Sequence, residues 1–208
     1  MKKLIIIILL SGIVVSCTPS VGKRIISKNN LETTLTIGGS FFKYLPFYAP
    51  LPNVGIGLKY GILDNINIGV NLHPLMLYFN SLLIEPYTAF SIYKSDNIFI
   101  PSVNGYISIN SLAYFNPTGV NFYPLIGEVN IWKINNVLIY VPFEVSFDFY
   151  SDIRKVKFNM GIGTEIPILE KVYLSAEFRI NSVGNIYLPL NTMVGVPNLF
   201  FSVSYLFN

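Results

Sequence analysis

The feature that most constrains this chain is an alternation of apolar with small or polar side chains over segments of about ten residues. It is clearest in 53–72, where two such segments flank a turn at 63–65. The apolar positions are Val54, Ile56, Leu58, Tyr60 and Ile62, then Ile66, Ile68, Val70 and Leu72. Successive side chains of a β-strand point to opposite faces, so this region predicts a hairpin with one apolar face.

The same alternation recurs along the chain and predicts an all-β protein, an antiparallel up-and-down barrel of about ten strands, with eight or twelve as alternatives. Short connections at 63–65, 95–96, 134–136 and 169–171 mostly alternate with longer ones, although 151–154 is also tight. The segment 181–198 is either a long apolar loop or two more strands. The predicted strands cover 33–44, 53–62, 66–76, 83–94, 97–110, 120–133, 137–150, 155–168, 172–182 and 198–207.

Charged residues make up only 12% of the 208-residue chain, whereas a soluble domain carries about 25%. One domain with so few charges is suited to an apolar solvent. Without Lys2 and Lys3 the chain carries 12 basic and 11 acidic side chains, a balance that argues against a nucleic-acid partner. We find no His or Cys cluster, phosphate-binding loop or nucleophile elbow, and therefore expect no metal, no cofactor and no catalysis.

The N-terminus has the pattern of an export signal. Lys2 and Lys3 precede an apolar stretch that is too short to span a bilayer, so residues 1–16 are predicted to be a signal peptide. The sequence from Val14 to Cys17 resembles the lipobox of bacterial lipoproteins. That resemblance implies that Cys17 carries a lipid, that 17–30 form a tether and that 31–208 form the barrel; an ordinary signal peptide is the alternative.

Strands of this length, with short turns at one rim, resemble those of bacterial outer-membrane β-barrel proteins. The last segment supports the resemblance, since Phe201, Val203, Tyr205 and Phe207 alternate with Ser202, Ser204 and Leu206. The resemblance implies a transmembrane barrel in the bacterial outer membrane, in contact with its lipid and recognised by the barrel-assembly machinery through this strand. It leaves the oligomeric state open.

Within that class we expect a narrow, porin-like pore or a structural surface protein. A lipid-anchored periplasmic barrel that binds an apolar ligand would show the same alternation, but its polar face would carry many more Lys and Glu residues. A lipid-modifying enzyme ranks third. It would use His73, the only histidine, which lies near the presumed outer rim without a local Ser motif.

By this alternation, nine charged side chains share the polar face, which would line the lumen. They are Lys59, Glu85, Glu128, Glu144, Asp148, Lys157, Glu165, Glu177 and Arg179. Counting from the loop at 151–154 pairs Asp148 with Lys157. The favoured interpretation is a charge network that fills a small barrel and compensates its buried ions. The alternative is a narrow pore whose surplus carboxylates favour cations.

A specific contact is expected within this set. The loop at 151–154 pairs Glu144 with Gly161, and the turn at 169–171 places Arg179 on the far side of Gly161. Because glycine leaves the space open, we expect Arg179 to reach across Gly161 toward Glu144, with Glu177 nearby.

Overall fold

A computed structural model describes residues 21–44, 47–50, 53–115, 118–149, 155–181 and 196–207. Most of them lie in strands, and two short 3-10 helices cover Val21–Lys23 and Pro74–Phe79. Among these residues no helix is long and apolar enough to cross a membrane. The strands are β1 (Leu31–Tyr44), β2 (Phe47–Pro50), β3 (Asn53–Leu63), β4 (Ile66–His73), β5 (Ser81–Tyr93), β6 (Ser102–Phe115), β7 (Thr118–Ile134), β8 (Val137–Asp148), β9 (Lys155–Leu169), β10 (Val172–Asn181) and β11 (Val196–Phe207).

The strands form one antiparallel sheet that closes on itself. From β3 to β11 each strand pairs with the next in chain order, and β1 pairs with both β3 and β11. In the closing ladder Leu31 lies opposite Phe207 and Ser40 lies opposite Asn198. The short strand β2 extends the end of β1 outside this ring. The predicted ten-stranded antiparallel barrel is therefore confirmed, and closure leaves it no free edge.

Several boundaries differ from the predicted ones. Residues 94–101 connect β5 to β6, so β6 begins at Ser102 rather than at 97. Strand β4 ends before Pro74, which lacks a backbone donor and opens the 3-10 helix Pro74–Phe79. The β8–β9 ladder is shifted by two residues from the predicted register, because Lys157 lies opposite Ser146 rather than opposite Asp148.

The distribution of side chains is the reverse of that in a soluble protein. Large apolar side chains cover the outside of the barrel, and many of them, such as Ile37, Ile126 and Ile162, are about half exposed. The inside is mainly polar, and among the described residues the buried polar and charged side chains outnumber the buried apolar ones. Most of the barrel therefore has a polar core and an apolar surface.

Tyrosines inside the barrel lie over glycines on the neighbouring strand. Tyr87 lies opposite Gly69, Tyr106 opposite Gly127, and Tyr140 opposite Gly163. In each pair a Cβ atom on the glycine would overlap the tyrosine ring. Covering a strand glycine with an aromatic ring restores packing that the missing side chain would otherwise lose. These three pairs therefore fix the direction of the tyrosine hydroxyl groups within the lumen.

We call residues 21–30, the segment before β1, the N-terminal plug; residues 21–26 lie inside the barrel, and 27–29 are exposed. Lys23 and Ile26 are buried, and their partners lie on opposite parts of the wall, on β10 and β4. Within the predicted tether at 17–30, residues 21–26 are therefore packed against the barrel wall. The predicted signal peptide at 1–16, the lipidation site Cys17 and most of the 181–198 segment lie outside the described residues.

Candidate functional site: an ionic lumen

Arg179 on β10 is the centre of one ionic cluster inside the barrel, which we call the central cluster. Its Nη1 lies 2.7 Å from Oε2 of Glu144 on β8, and its Nη2 lies 2.6 Å from Oε1 of Glu177. Its Nε donates a further hydrogen bond of 2.9 Å to the same Glu177 oxygen. All three side chains are at least 96% buried. One guanidinium therefore bridges two carboxylates through charge-assisted hydrogen bonds, which are roughly twice as strong as neutral ones.

Neutral donors complete the coordination of the two carboxylates. The Tyr106 hydroxyl donates to Oε1 of Glu144, and Asn159 donates to its Oε2 at 3.3 Å. The Tyr140 hydroxyl donates to Oε2 of Glu177 at 3.1 Å. Each carboxylate thus receives hydrogen bonds on both oxygens, which is what a buried ion needs to offset its lost hydration.

The predicted reach of Arg179 across Gly161 is present. Arg179 lies directly opposite Gly161, and a Cβ on that glycine would meet the Arg179 Cβ at 3.4 Å. Glu144 lies opposite Asn159 rather than opposite Gly161, so the guanidinium reaches it diagonally. A Cβ on Gly161 would also overlap the Phe178 carbonyl oxygen, at 2.6 Å.

A second ionic cluster holds the N-terminal plug. Lys23 Nζ lies 2.6 Å from the Ser175 hydroxyl oxygen and 3.5 Å from Oε2 of Glu165. Arg24 pairs with Glu32 on β1, and its Nη1 lies 3.4 Å from Oε1 of Glu165. Its guanidinium also stacks 3.4 Å above the ring of Tyr173, a favourable cation–π geometry. The plug therefore contributes two cations to carboxylates on β1 and β9.

The wall of the barrel completes this cluster with a cation of its own. Lys59 on β3 lies 2.8 Å from Oε1 of Glu32 and donates a hydrogen bond of 3.0 Å to the Arg24 carbonyl. Asparagine side chains bind the plug backbone as well. Asn67 accepts from the Ile26 amide at 2.9 Å and donates to the Ile26 carbonyl at 3.0 Å. The plug is thus bonded through both side chains and backbone.

The structure places eight of the nine predicted lumen charges inside the barrel. Lys59 and Glu165 contact the plug, whereas Glu144, Glu177 and Arg179 form the central cluster. The other three, Glu85, Asp148 and Lys157, belong to neither cluster. Asn71 donates to Glu85 at 3.0 Å, and Lys157 lies 3.7 Å from Asp148 nearer the end of β8.

The prediction for Glu128 is wrong. It lies on the outer face of β7, exposed, with the same orientation as Ile126 and Trp132. The alternation fails on this strand because the inner face of β7 is apolar too: Leu125, Val129 and Ile131 join a buried cluster. The cluster is Tyr87, Ala89, Tyr106, Leu125, Val129, Ile131 and Tyr140, against which the plug residues Val21 and Ile25 pack.

Lys23, Arg24 and Glu32 are lumen residues that the sequence reasoning missed. Glu32 lies one residue before the predicted start of the first strand, and the two basic residues fall in the predicted tether. A signal was available, because Lys23 and Arg24 are flanked by Val21, Ile25 and Ile26, whereas a solvated tether seldom carries apolar residues on both sides of its charges.

The half of the lumen away from the plug contains His73, whose ring is fully buried. Its Nδ1 lies 3.3 Å from the Asn53 amide nitrogen, while Nε2 has no hydrogen-bond partner. Donation from Asn53 to Nδ1 would leave the proton on Nε2. The neighbouring interior is apolar and is formed by Met76, Leu83, Leu112 and Tyr123. Met76 comes from the 3-10 helix Pro74–Phe79, which folds over this end.

The described part of the lumen keeps a small cavity beside the plug. A cavity of about 30 Å³ lies between the plug and the wall formed by β1, β3, β4 and β5. That volume holds one or two water molecules. Among the described residues, no group of three or more His, Cys, Asp and Glu side chains could hold a metal ion.

No family model matches the chain. No curated protein matches it either. The fold is similar to the N-terminal β-barrel domain of Pseudomonas aeruginosa OprF, at 12% identity and a TM-score of 0.33, over 88% of this chain and 100% of that one. It is also similar to the translocator domain of the autotransporter NalP from Neisseria meningitidis, at 9% identity and a TM-score of 0.42, over 86% and 88% of the two chains. A third similar structure is Neisserial surface protein A, at 14% identity and a TM-score of 0.24, over 85% and 93%.

Proposed function

We propose that this protein spans the bacterial outer membrane as a barrel closed by its own interior, and that it acts there as a structural surface protein without catalysis. The observation that carries the proposal is the reversed distribution of polarity. A wall of ten paired strands exposes apolar side chains around the barrel and buries ion pairs inside it. In water such a surface would aggregate, whereas in a bilayer it is the surface that lipid requires.

Exposed aromatic residues near the strand ends support the same placement. Tyr60 on β3, Tyr93 on β5 and Phe207 on β11 lie toward the rim with the short turns, and Phe115 on β6 lies toward the other rim. Aromatic side chains collect at both water interfaces of membrane barrels. The last strand, β11, is the one through which we expect the barrel-assembly machinery to recognise the chain.

The rival function, a periplasmic barrel that binds an apolar ligand, needs the opposite arrangement. Such a barrel encloses an apolar cavity and presents polar side chains to water. Here the interior holds Arg179, Glu144 and Glu177, and the cavity beside the plug has a volume of about 30 Å³. The third candidate, a lipid-modifying enzyme, would use His73, which is buried rather than exposed at the rim.

The test is the behaviour of a Cys17→Ala variant carrying a cleavable export signal. We expect it to remain in the outer membrane, to resist extraction by urea or carbonate, and to change mobility when heated before electrophoresis, because the barrel itself holds it there. We also expect no conductance above baseline in planar bilayers. Release into the soluble periplasm would refute the membrane placement, and a steady large conductance would refute closure.

A further inference from the structure

We propose that the N-terminal plug closes a narrow passage for small cations along one side of the lumen. This inference depends on the proposed membrane placement and adds a transport activity to it. The passage is bordered by β11, β1 and β3, and we call its wall the small-residue wall. The residues of the small-residue wall are Thr34, Thr36, Gly55, Gly57, Ser202 and Ser204.

The lumen is filled unequally on its two sides. On the side of β6, β8 and β10, large side chains, including Tyr106, Tyr140 and Arg179, cross the interior and hold one another by hydrogen bonds. The small-residue wall faces them with hydroxyl groups and bare backbone. Thr36, for example, only reaches Ser202 beside it, at 3.0 Å between oxygens. The wall therefore leaves space that something else must occupy.

The plug occupies that space at the end of the barrel with the short turns. Val21 and Lys23 line the cavity of about 30 Å³ together with Thr34, Gly55 and other residues of the small-residue wall. The water-sized cavity shows that the plug fills the space incompletely. Withdrawal of residues 21–26 would join this cavity to the solvent at that rim.

A buried nitrogen without a hydrogen-bond partner lies at the far end of the small-residue wall. A Cβ on Gly55 would meet His73 Cε1 at 3.5 Å and Nδ1 at 3.7 Å, so the imidazole ring borders the passage. Its Nε2 is fully buried without a hydrogen-bond partner. A buried polar atom of this kind needs water or a solute as its partner. The polar path thus continues past the cavity toward His73.

The contacts between the plug and Glu165 are its weakest. Both carboxylate oxygens of Glu165 lack a hydrogen bond in spite of the nearby Lys23 and Arg24, and so do Nε and Nη1 of Arg24. The central cluster, by contrast, places hydrogen bonds on every carboxylate oxygen. Because the contacts of Lys23 and Arg24 with Glu165 are longer than those of the central cluster and lack hydrogen bonds, water and salt compete with them more effectively.

Withdrawal of the plug would also set the charge of the passage. Without Lys23 and Arg24, the described lumen carries six carboxylates and three cations. The carboxylates are Glu32, Glu85, Glu144, Asp148, Glu165 and Glu177, and the cations are Lys59, Lys157 and Arg179. A narrow passage with surplus carboxylates admits cations in preference to anions.

The test measures access to the small-residue wall with a single reporter cysteine. In a Cys17→Ala background, Thr36→Cys places a thiol on the passage, and cationic and anionic methanethiosulfonate reagents of similar size report access to it. We expect slow labelling with the plug in place. Adding Lys23→Gln and Arg24→Gln should raise the rate by at least about tenfold, with the cationic reagent faster. Lys28→Gln is the matched control, since that exposed lysine lies in the same plug but outside both clusters.

A second measurement needs no substitution in the plug. Raising KCl from 0.1 to 1 M shortens the Debye length from about 10 Å to about 3 Å, and should speed labelling of Thr36→Cys. Planar-bilayer conductance of the double variant should appear and favour K⁺ over Cl⁻. The proposed cation passage would be refuted if neither the substitutions nor salt accelerate the labelling. It would also be refuted if the anionic reagent labels Thr36→Cys faster than the cationic one. The change in electrophoretic mobility on heating reports whether each variant still forms the folded barrel. Loss of that change would count against the proposed function and not against the passage.

Discussion

Removing the charge of Arg179 should destabilise the barrel more than any single surface change. Arg179→Met keeps most of the aliphatic volume but removes contacts of 2.7 and 2.6 Å to two carboxylates that are 4% and 1% exposed. Breaking a buried ion pair by removing one partner costs about 3–5 kcal/mol. Because the Tyr106, Asn159 and Tyr140 donors remain, we expect a loss of about 4 kcal/mol in the free energy of unfolding, within that range.

The measurement is urea unfolding in lipid vesicles, followed by the fluorescence of Trp132, the one tryptophan of the chain. With a denaturant slope of about 2 kcal/mol per M, the midpoint should fall by about 2 M. Adding Glu144→Gln and Glu177→Gln to Arg179→Met should recover at least half of the loss, because no uncompensated charge then remains. Lys133→Met, at an exposed lysine, is the control and should change stability by no more than about 0.5 kcal/mol.

The reasoning would be refuted by either of two results. One is a loss below about 1 kcal/mol for Arg179→Met, which would place the cluster in contact with water rather than in a buried interior. The other is a triple variant no more stable than the single one, since the cost would then come from lost packing and not from unpaired carboxylates.

Two further predictions concern the wall of the barrel. Gly163→Ala should lower the free energy of unfolding by about 1–3 kcal/mol, because its methyl group would overlap the Tyr140 ring and displace it. Gly119→Ala is the control and should be nearly neutral, because its methyl group meets open space. Equal losses of stability in the two variants would contradict the tyrosine–glycine packing. Trp132 lies on the outer face of β7, three residues before the turn. In brominated phospholipids, bromine atoms near the headgroup should therefore quench its fluorescence more than bromine atoms deep in the acyl chains. Absence of quenching would place Trp132 away from lipid.

The parts of the fold that the sequence predicted depend on simple alternation. From Gly55 to Gly61 in β3 every second residue is glycine or lysine, so the outward direction of Ile56 and Leu58 follows from the pattern alone. The Arg179–Glu144 contact was predictable for the same reason. Side-chain parity survives a register error of two residues, so Glu144 faces the lumen whether it lies opposite Gly161 or opposite Asn159.

The parts that were not predicted involve interactions outside the strand pattern. Glu128 was assigned to the lumen because the interior was assumed to be polar, whereas the plug gives β7 an apolar inner face at Leu125 and Val129. The plug itself has no periodicity. Its position results from Lys23 and Arg24 meeting carboxylates that are distant in the chain, such as Glu165, and no local pattern reports such a contact.

The pairing of β11 with β1 has a consequence for the order of assembly. Leu31 and Phe207 are neighbours in the closed ring although almost the whole barrel separates them along the chain. Bringing such distant segments together is the slow step for a β-protein, since the entropy lost in closing so long a loop must be met before the contacts form. The N-terminal plug precedes β1 and bonds to β4, β6 and β10. It must therefore lie among these strands before the ring shuts, or enter afterwards through the rim.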